Sequence, residues 1–444
     1  MTATNTNKKI AIIGAGIMGL STAHYLIKQG YEVTIFERNA CIGGMAQHFD
    51  FNGFNIERYY HFHCTSDYDY FELLKEFKLE ENLKWVNTKM GYWFDGKLQS
   101  WGDPISLLKF KGISLFAKFR YGLHAFFSVK RNKYDDLDKL ESISWIKKWV
   151  GEEAYKKLWK KLFDLKFYEF SDNLSAAWIW SRIRRIGRSR ESMFKEKLGY
   201  LEGGTNRLFK ALEQEILSKN SNIVTNAKVS IIKRTENGKY IVSLANTTES
   251  TQNENFGEFD KVVSTIPLPY VANIFKDELP KDAYDKFTKV NNIGVVCCMV
   301  ELSKPLTKNF WLNVNDDNMD IPGIIEFSNL NPCNGRHILF VPYYMPTTNP
   351  KYKDSDEVYK DKISGFIKTI NPEIKDSDIL AFAASRYDCA QPICQPEYLK
   401  SIPELKINND IYIADTSYYY PEDRGISEGI KISKQIAKMI DEAK

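Results

Sequence analysis

The sequence predicts an α/β protein. A parallel, dinucleotide-binding sheet is interrupted by a second, α+β region. Three observations predict this. Residues 9–37 read as strand, glycine turn, helix, strand and terminal acid. Two later apolar runs, 261–267 and 410–415, read as strands, the first returning to that sheet and the second a final buried strand. Between them, 292–302, 309–313, 322–328 and 337–341 suggest a second, antiparallel sheet.

The first unit fixes a chemistry. Ile10-Ala11-Ile12-Ile13 leads into Gly14-Ala15-Gly16-Ile17-Met18-Gly19. Gly14 permits the tight turn, Gly16 lets a pyrophosphate approach the backbone, and Gly19 lets the helix pack on the strand. The helix runs through Leu20, Ala23, Leu26 and Ile27 to Gly30. Its first turn, with Met18, offers free N–H groups and a positive dipole end to phosphates. Val33-Thr34-Ile35-Phe36 ends in Glu37, placed to accept bonds from ribose hydroxyls, with Arg38 beside it. Gly43-Gly44-Met45 follows, either a second close approach to the ligand or a surface turn.

Further on, 47–55 reads as a hairpin turning at Asn52-Gly53. His61 and His63, two apart in an aromatic stretch, are a candidate proton-transfer pair or cofactor contacts; one core and one exposed histidine is the alternative. A helix is expected at 69–78 and a hairpin at 90–98 around Asp95-Gly96. Residues 105–131 alternate leucine and phenylalanine with lysine and arginine, as in helices lying on a membrane or packed inward with a solvated face. Residues 143–170 read as a long helix with lysines on its outer side. Arg182, Arg184, Arg185, Arg188 and Arg190 invite an anion, phosphate or diphosphate. A glycine turn at 198–205 opens a helix at 206–219. Strands follow at 222–234 and 240–244, a polar loop at 247–256, and helices at 355–370 and 430–443.

The chain of 444 residues suffices for two or three domains. Net charge is +4, but residues 101–200 hold 22 Lys+Arg against 12 Asp+Glu, a surplus of +10. Nothing resembles a nucleic-acid module. The seven cysteines lack CxxC spacing and the six histidines lack a ligand pattern, so no metal is expected. The polar start and the lack of a long apolar run lead to an expectation of a cytoplasmic protein, with peripheral contact on the inner face of the membrane.

Together, segments 10–45, 198–212, 262–267 and 411–429 resemble the flavin amine oxidase superfamily, including protoporphyrinogen oxidase-like and phytoene desaturase-like enzymes. The likeness spans nearly the whole chain. It implies an FAD-binding Rossmann-like (GR2-type) domain with an inserted α+β substrate domain (antiparallel sheet plus helices). The FAD domain would comprise 1–78, 198–275 and 405–444. A mainly helical basic insert would occupy 79–197 and the substrate domain 276–404. The Gly43-Gly44 pair resembles the second half of the FAD fingerprint, which favours FAD over NAD. The resemblance implies that Val229 meets the adenine side, Thr265 and Pro267 line the crossover, and Asp415 approaches the ribityl–diphosphate. Gly425, Ile426 and Ser427 would offer a helix N-terminus to the flavin pyrimidine edge; simple capping by Asp423 and Ser427 is the alternative. No flavin-attaching cysteine motif stands near the end, so FAD is expected to be noncovalent.

The expected function is an FAD-dependent oxidoreductase of dehydrogenase, oxidase or desaturase type. Its substrate would be apolar or lipid-linked and phosphate-bearing, in cell-surface polysaccharide or isoprenoid metabolism. Residues 60–65 also resemble UDP-galactopyranose mutases, with shifted spacing, so a non-redox nucleotide-sugar mutase stays open, as do an amine oxidase and an FAD-bound membrane scaffold. Arg182, Arg185, Trp311, Glu326, Asn329, Tyr343 and Tyr344 are the candidate substrate residues. Oligomeric state is not legible.

Overall fold

The structure, a computed structural model, describes residues 8–245, 256–276 and 278–443; the polar loop expected at 247–256 lies outside these except for Phe256. Strand Lys9–Ile13 runs parallel between Glu32–Phe36 and Lys261–Ser264. Asn222–Val224 and Ile411–Ile413 extend the two sides to five strands. The strands are apolar on both faces because both are covered. Ile10, Ile12, Val33 and Ile35 pack with helices Ile17–Lys28, Asn206–Leu217 and Ile426–Glu442. Ala11, Ile13 and Phe36 join a second core that includes Ile232, Tyr240 and Val242 from the hairpin Val229–Arg234 and Tyr240–Leu244.

The first and last long helices press together through small residues. The Ser21 hydroxyl donates to Ser433 at 2.8 Å, and Ser433 donates to the Met18 carbonyl at 2.8 Å. A Cβ at Gly429 would stand 3.0 Å from Ile17 Cγ2. The last helix starts at Ile426, where the resemblance puts its N-terminus and before the 430 read from the apolar pattern.

The second sheet has seven strands, in the order Ile379–Pro392, Asn292–Leu302, His337–Met345, Gly323–Glu326, Trp311–Asn315, Met90–Phe94, Lys97–Trp101. All pairings are antiparallel except Trp311–Asn315 with Met90–Phe94. Helix Asp356–Ile370 backs it with Tyr359, Ile363 and Ile367. Both hairpin turns carry two residues at positive φ, Asn52-Gly53 at 51° and 79° and Asp95-Gly96 at 52° and 66°, as two-residue turns between twisted strands need. Ile379–Pro392 was not expected: two register shifts in its pairing with Asn292–Leu302 and partial burial along its first half blur the alternation.

The helical block between the sheets comprises Leu115–Lys130, Ser142–Leu158, Lys160–Phe167 and Ala176–Arg188. The single helix expected over 143–170 is broken. Gly151 sits at φ 81°, and Trp159 leaves helical geometry at φ −123°. Beyond the break, Lys166 lines the cavity instead of joining a solvated face. The block leaves and returns at one place. Leu83–Thr88 pairs with Lys195–Leu201, and the Arg190 guanidinium donates to the Gly102 carbonyl at 2.7 Å.

Helix Leu115–Lys130 is inside out. Its inward face is Ala117, Lys118, His124 and Ser128, while Leu115 (74%), Phe116 (71%), Phe119 (63%), Phe126 and Phe127 are exposed. Of the apolar teeth expected over 105–131, Phe110 and Ile113 do pack inward, while these on the helix do not. No described helix is long and apolar enough to cross a membrane.

Ile430 is fully buried between the helices and the parallel sheet. Ile430→Ala is expected to lower unfolding free energy by about 2–5 kcal/mol in urea titration. A loss under about 1 kcal/mol would mean that the last helix does not stabilise this core.

Candidate active site

One cavity of about 1940 Å³ joins the parallel sheet, the seven-stranded sheet and the helical block. At its sheet end lie Gly14, Gly16, Met18, Glu37, Arg38, Gly43, Gly44, Met45, Val229, Thr265, Pro267, Asp415, Gly425 and Ile426. The glycine turn is locked from two sides. The Thr265 hydroxyl donates to the Ile13 carbonyl at 3.0 Å, and the Glu37 carboxylate accepts the Ala15 and Asn39 N–H groups, both at 2.9 Å. Gly14 sits at φ 101°. A Cβ at Gly19 would fall 1.9 Å from the Gly14 carbonyl oxygen, so Gly19 serves the helix–turn contact and does not line the cavity. At Gly16 the nearest atom to an added Cβ is Gly44 Cα at 3.9 Å.

Two helices open on this space with no side-chain cap. Gly16 precedes Ile17–Lys28, and Gly425 precedes Ile426–Glu442. Uncapped N–H groups and two positive dipole ends at one cavity fit a dinucleotide diphosphate and an electron-rich ring edge. FAD fits these residues, and when bound it supplies hydride or electron acceptance. Asp415 straps two loops, accepting Leu268 N–H and Ser417 N–H at 2.8 Å each, and burial raises its carboxyl. Ser427 is turned away: its hydroxyl accepts the Tyr70 N–H at 3.3 Å, outside the cavity.

Both histidines line the cavity, with different partners. His61 lies 3.3 Å from Glu57. His63 is buried, stacked on Tyr70 with ring centres 4.0 Å apart, and lies 3.6 Å from Asp67. Burial pushes the Glu57 carboxyl up, but hydrogen bonds to His48 and His61 outweigh it and hold the group well below its usual range.

The arginine cluster is already committed to protein partners. Arg182 donates to Asp423 at 2.9 Å and lies over the Trp178 ring. Arg184 pairs with Glu422, and Arg185 reaches Asp67 at 3.1 Å. Arg188 serves Val129, Arg131 and Asn132, and Arg190 serves Gly102. These partners take much of the donor capacity that a diphosphate held by all five would need, although Arg182, Arg185, Arg188 and Arg190 line the cavity.

Trp311 and Tyr344 also line it; Glu326, Asn329 and Tyr343 do not. Strand alternation is the reason. Gly323, Ile325, Pro342 and Tyr344 face the cavity, so Glu326 and Tyr343 point the other way. Glu326 accepts Leu306 and Thr307 N–H groups at 2.8 Å, Tyr343 packs on Tyr359, and Asn329 donates to the Asn309 carbonyl at 2.8 Å.

Sequence reasoning missed Lys166, Tyr60 and Arg424 as one group. The Tyr60 and Tyr344 hydroxyls are 3.2 Å apart, and Arg424 donates to Tyr344 and to the Ala390 carbonyl. Lys166 Nζ lies 4.8 Å from the Tyr344 ring centre. Burial, then the field of Arg182, pushes its amine down to about 7; Asp423 opposes and Arg424 adds. No spacing sets Lys166 apart from the other lysines of 143–170.

A βαβ cradle, a second, largely antiparallel sheet and one cavity between them define a flavin-binding fold of the amine oxidase type. The chain belongs to the flavin containing amine oxidoreductase family, which it matches over residues 17–378, and its cofactor is FAD. Zeta-carotene desaturase from Synechocystis sp. is 23% identical over 322 residues, covering 65% of this chain and 63% of that protein. Zeta-carotene desaturase from Solanum lycopersicum is 45% identical over 76 residues, 17% of this chain and 13% of that protein. The chain thus spans less than two thirds of these relatives. The crystal structure of a candidate protoporphyrinogen oxidase from Exiguobacterium sp. 255-15 superposes with TM-score 0.72 at 17% identity, covering 99% of this chain and 100% of that one.

Gly16→Val projects a side chain into open cavity, so the variant is expected to fold and to lose FAD, read as visible flavin absorbance per protein after gel filtration. Full flavin retention would place the diphosphate elsewhere.

Proposed function

We propose that this flavoprotein oxidises an apolar or lipid-linked substrate taken from the surface of an anionic membrane. One observation carries the reading: the cavity that holds the FAD cradle is walled by the same helix that bears the exposed apolar face. Gly122, Ala125, Phe126 and Val129 of Leu115–Lys130 line the cavity, together with Leu107. Leu115, Phe116, Phe119 and Phe127 project outward beside the exposed Lys109, Lys111 and Lys130. An exposed apolar patch ringed by lysines suits the headgroup boundary of an anionic bilayer.

The chain's own residues divide the work. Apolar walls strip water from a long substrate. Tyr60, Trp311 and Tyr344 wall its reacting part, the Tyr60 and Trp311 rings meeting edge to face at 5.8 Å. The Gly425 helix N-terminus stabilises negative charge that develops at the cofactor edge. The expected division, with FAD segments at 1–78, 198–275 and 405–444 around an insert at 79–197 and a substrate domain at 276–404, belongs to this proposal. So do noncovalent attachment and an inner-leaflet location. The desaturase relatives act, by their names, on carotenes, which supports an apolar chain.

Anaerobic mixing with polyprenyl or lipid-linked compounds is expected to bleach the oxidised flavin band. Isomerisation of a nucleotide sugar by pre-reduced protein alone, with no net electron transfer, would replace this reading with the mutase one.

Phosphatidylglycerol vesicles are expected to float the protein at low salt and to release it at high salt, each lysine near the surface being worth about 1 kcal/mol. Phe116→Glu with Phe119→Glu should abolish flotation with FAD content unchanged. Equal flotation by the double variant would remove the helix from the contact.

A further inference from the structure

We propose that the deep wall of the cavity is an oxyanion site, formed by Lys166 with Arg424 and Arg182, that selects a substrate carrying a carboxylate or phosphate on an apolar chain. The inference rests on the apolar-substrate reading and adds the charge of the substrate's polar end.

Lys166, Arg182 and Arg424 all line the cavity. Asp423 is the carboxylate set among them, accepting Arg182 Nη2 at 2.9 Å and the Arg424 N–H at 3.0 Å. The opposing fields show in Asp423 itself: burial would raise it, yet Arg182, then Lys166 and Arg424, hold it down to about 2. Arg185, the next cation along, is matched by Asp67. With Lys166 protonated, the wall therefore holds three cations to one carboxylate.

Donor capacity is also left over. No described residue accepts a hydrogen bond from Lys166 Nζ, whose neighbours are the rings of Phe167 and Tyr344. Arg182 Nε and Arg185 Nε are buried without an acceptor. Buried cationic donors without acceptors are costly, and an oxyanion arriving from the cavity satisfies them. Tyr60 and Tyr344 add two hydroxyls at the same place. This wall disfavours a protonated amine, which would add a fourth cation to a desolvated cluster. A neutral hydrocarbon would leave the surplus charge unanswered.

The test uses the FAD-loaded protein and four ligands that share one chain, dodecanoate, dodecyl phosphate, dodecanol and dodecylammonium, titrated by calorimetry at about pH 6, where Lys166 is charged. At least one oxyanion is expected to bind about tenfold or more tighter than dodecanol, with dodecylammonium the weakest. The carboxylate and phosphate arms tell the two headgroups apart. Lys166→Met should erase the oxyanion preference and leave dodecanol binding unchanged, and Lys166→Arg should restore it.

Equal binding of dodecanol and both oxyanions overturns the site while the apolar-substrate reading stands. Failure of all four to bind overturns that reading and the site with it. An equal loss of all ligands in Lys166→Met, or a shifted flavin potential with the headgroup ranking unchanged, assigns Lys166 to packing or to the cofactor and overturns the proposal.

Discussion

The contact between the first and last long helices governs the rest of the molecule. Ser21, Gly429 and Ser433 allow these helices to meet on one face of the sheet, with hydroxyls bonded between them. That closeness brings two uncapped N-termini, at Gly16 and Gly425, to one cavity. A larger residue at either helix would separate the dipole ends, and the diphosphate and ring ends of one cofactor would no longer be served together. Thr265 and Glu37 then fix the glycine turn against this pair, which makes the cradle a rigid element.

The parallel sheet was legible because both its faces are buried, leaving continuous apolar runs that no polar alternation interrupts. The glycine spacing was legible for a steric reason: at Gly19 no side chain fits. Hairpins announced themselves through Asn52-Gly53 and Asp95-Gly96. The longest strand, Ile379–Pro392, was not readable, because register shifts scramble the alternation on which strand recognition depends. Nor could a local pattern reveal that Met90–Phe94 pairs in parallel with Trp311–Asn315, a contact set by tertiary topology.

The site was half legible. Backbone-binding positions follow from local sterics, so they could be placed by spacing. Side-chain positions depend on which face of a strand turns inward, and one residue decides it: Tyr344 faces the cavity and Tyr343 does not. Arginines in a dense run looked available for a ligand, yet nearby acids and carbonyls claimed most of their donors. Lys166 went the other way: one lysine in a lysine-rich helical run, it lines the cavity.

The chain that builds the helical block departs after Gly102 and returns at Arg190, and these two residues are joined by a hydrogen bond. The intervening segment is therefore a closed excursion whose two ends share one address. The bonds that hold its interior run elsewhere: the Ser181 hydroxyl meets the Pro421 carbonyl, and Arg182 donates to Asp423 at 2.9 Å. The cassette between Gly102 and Arg190 is thus fastened at its root and at its middle, and the middle ties it to the segment that opens the last helix.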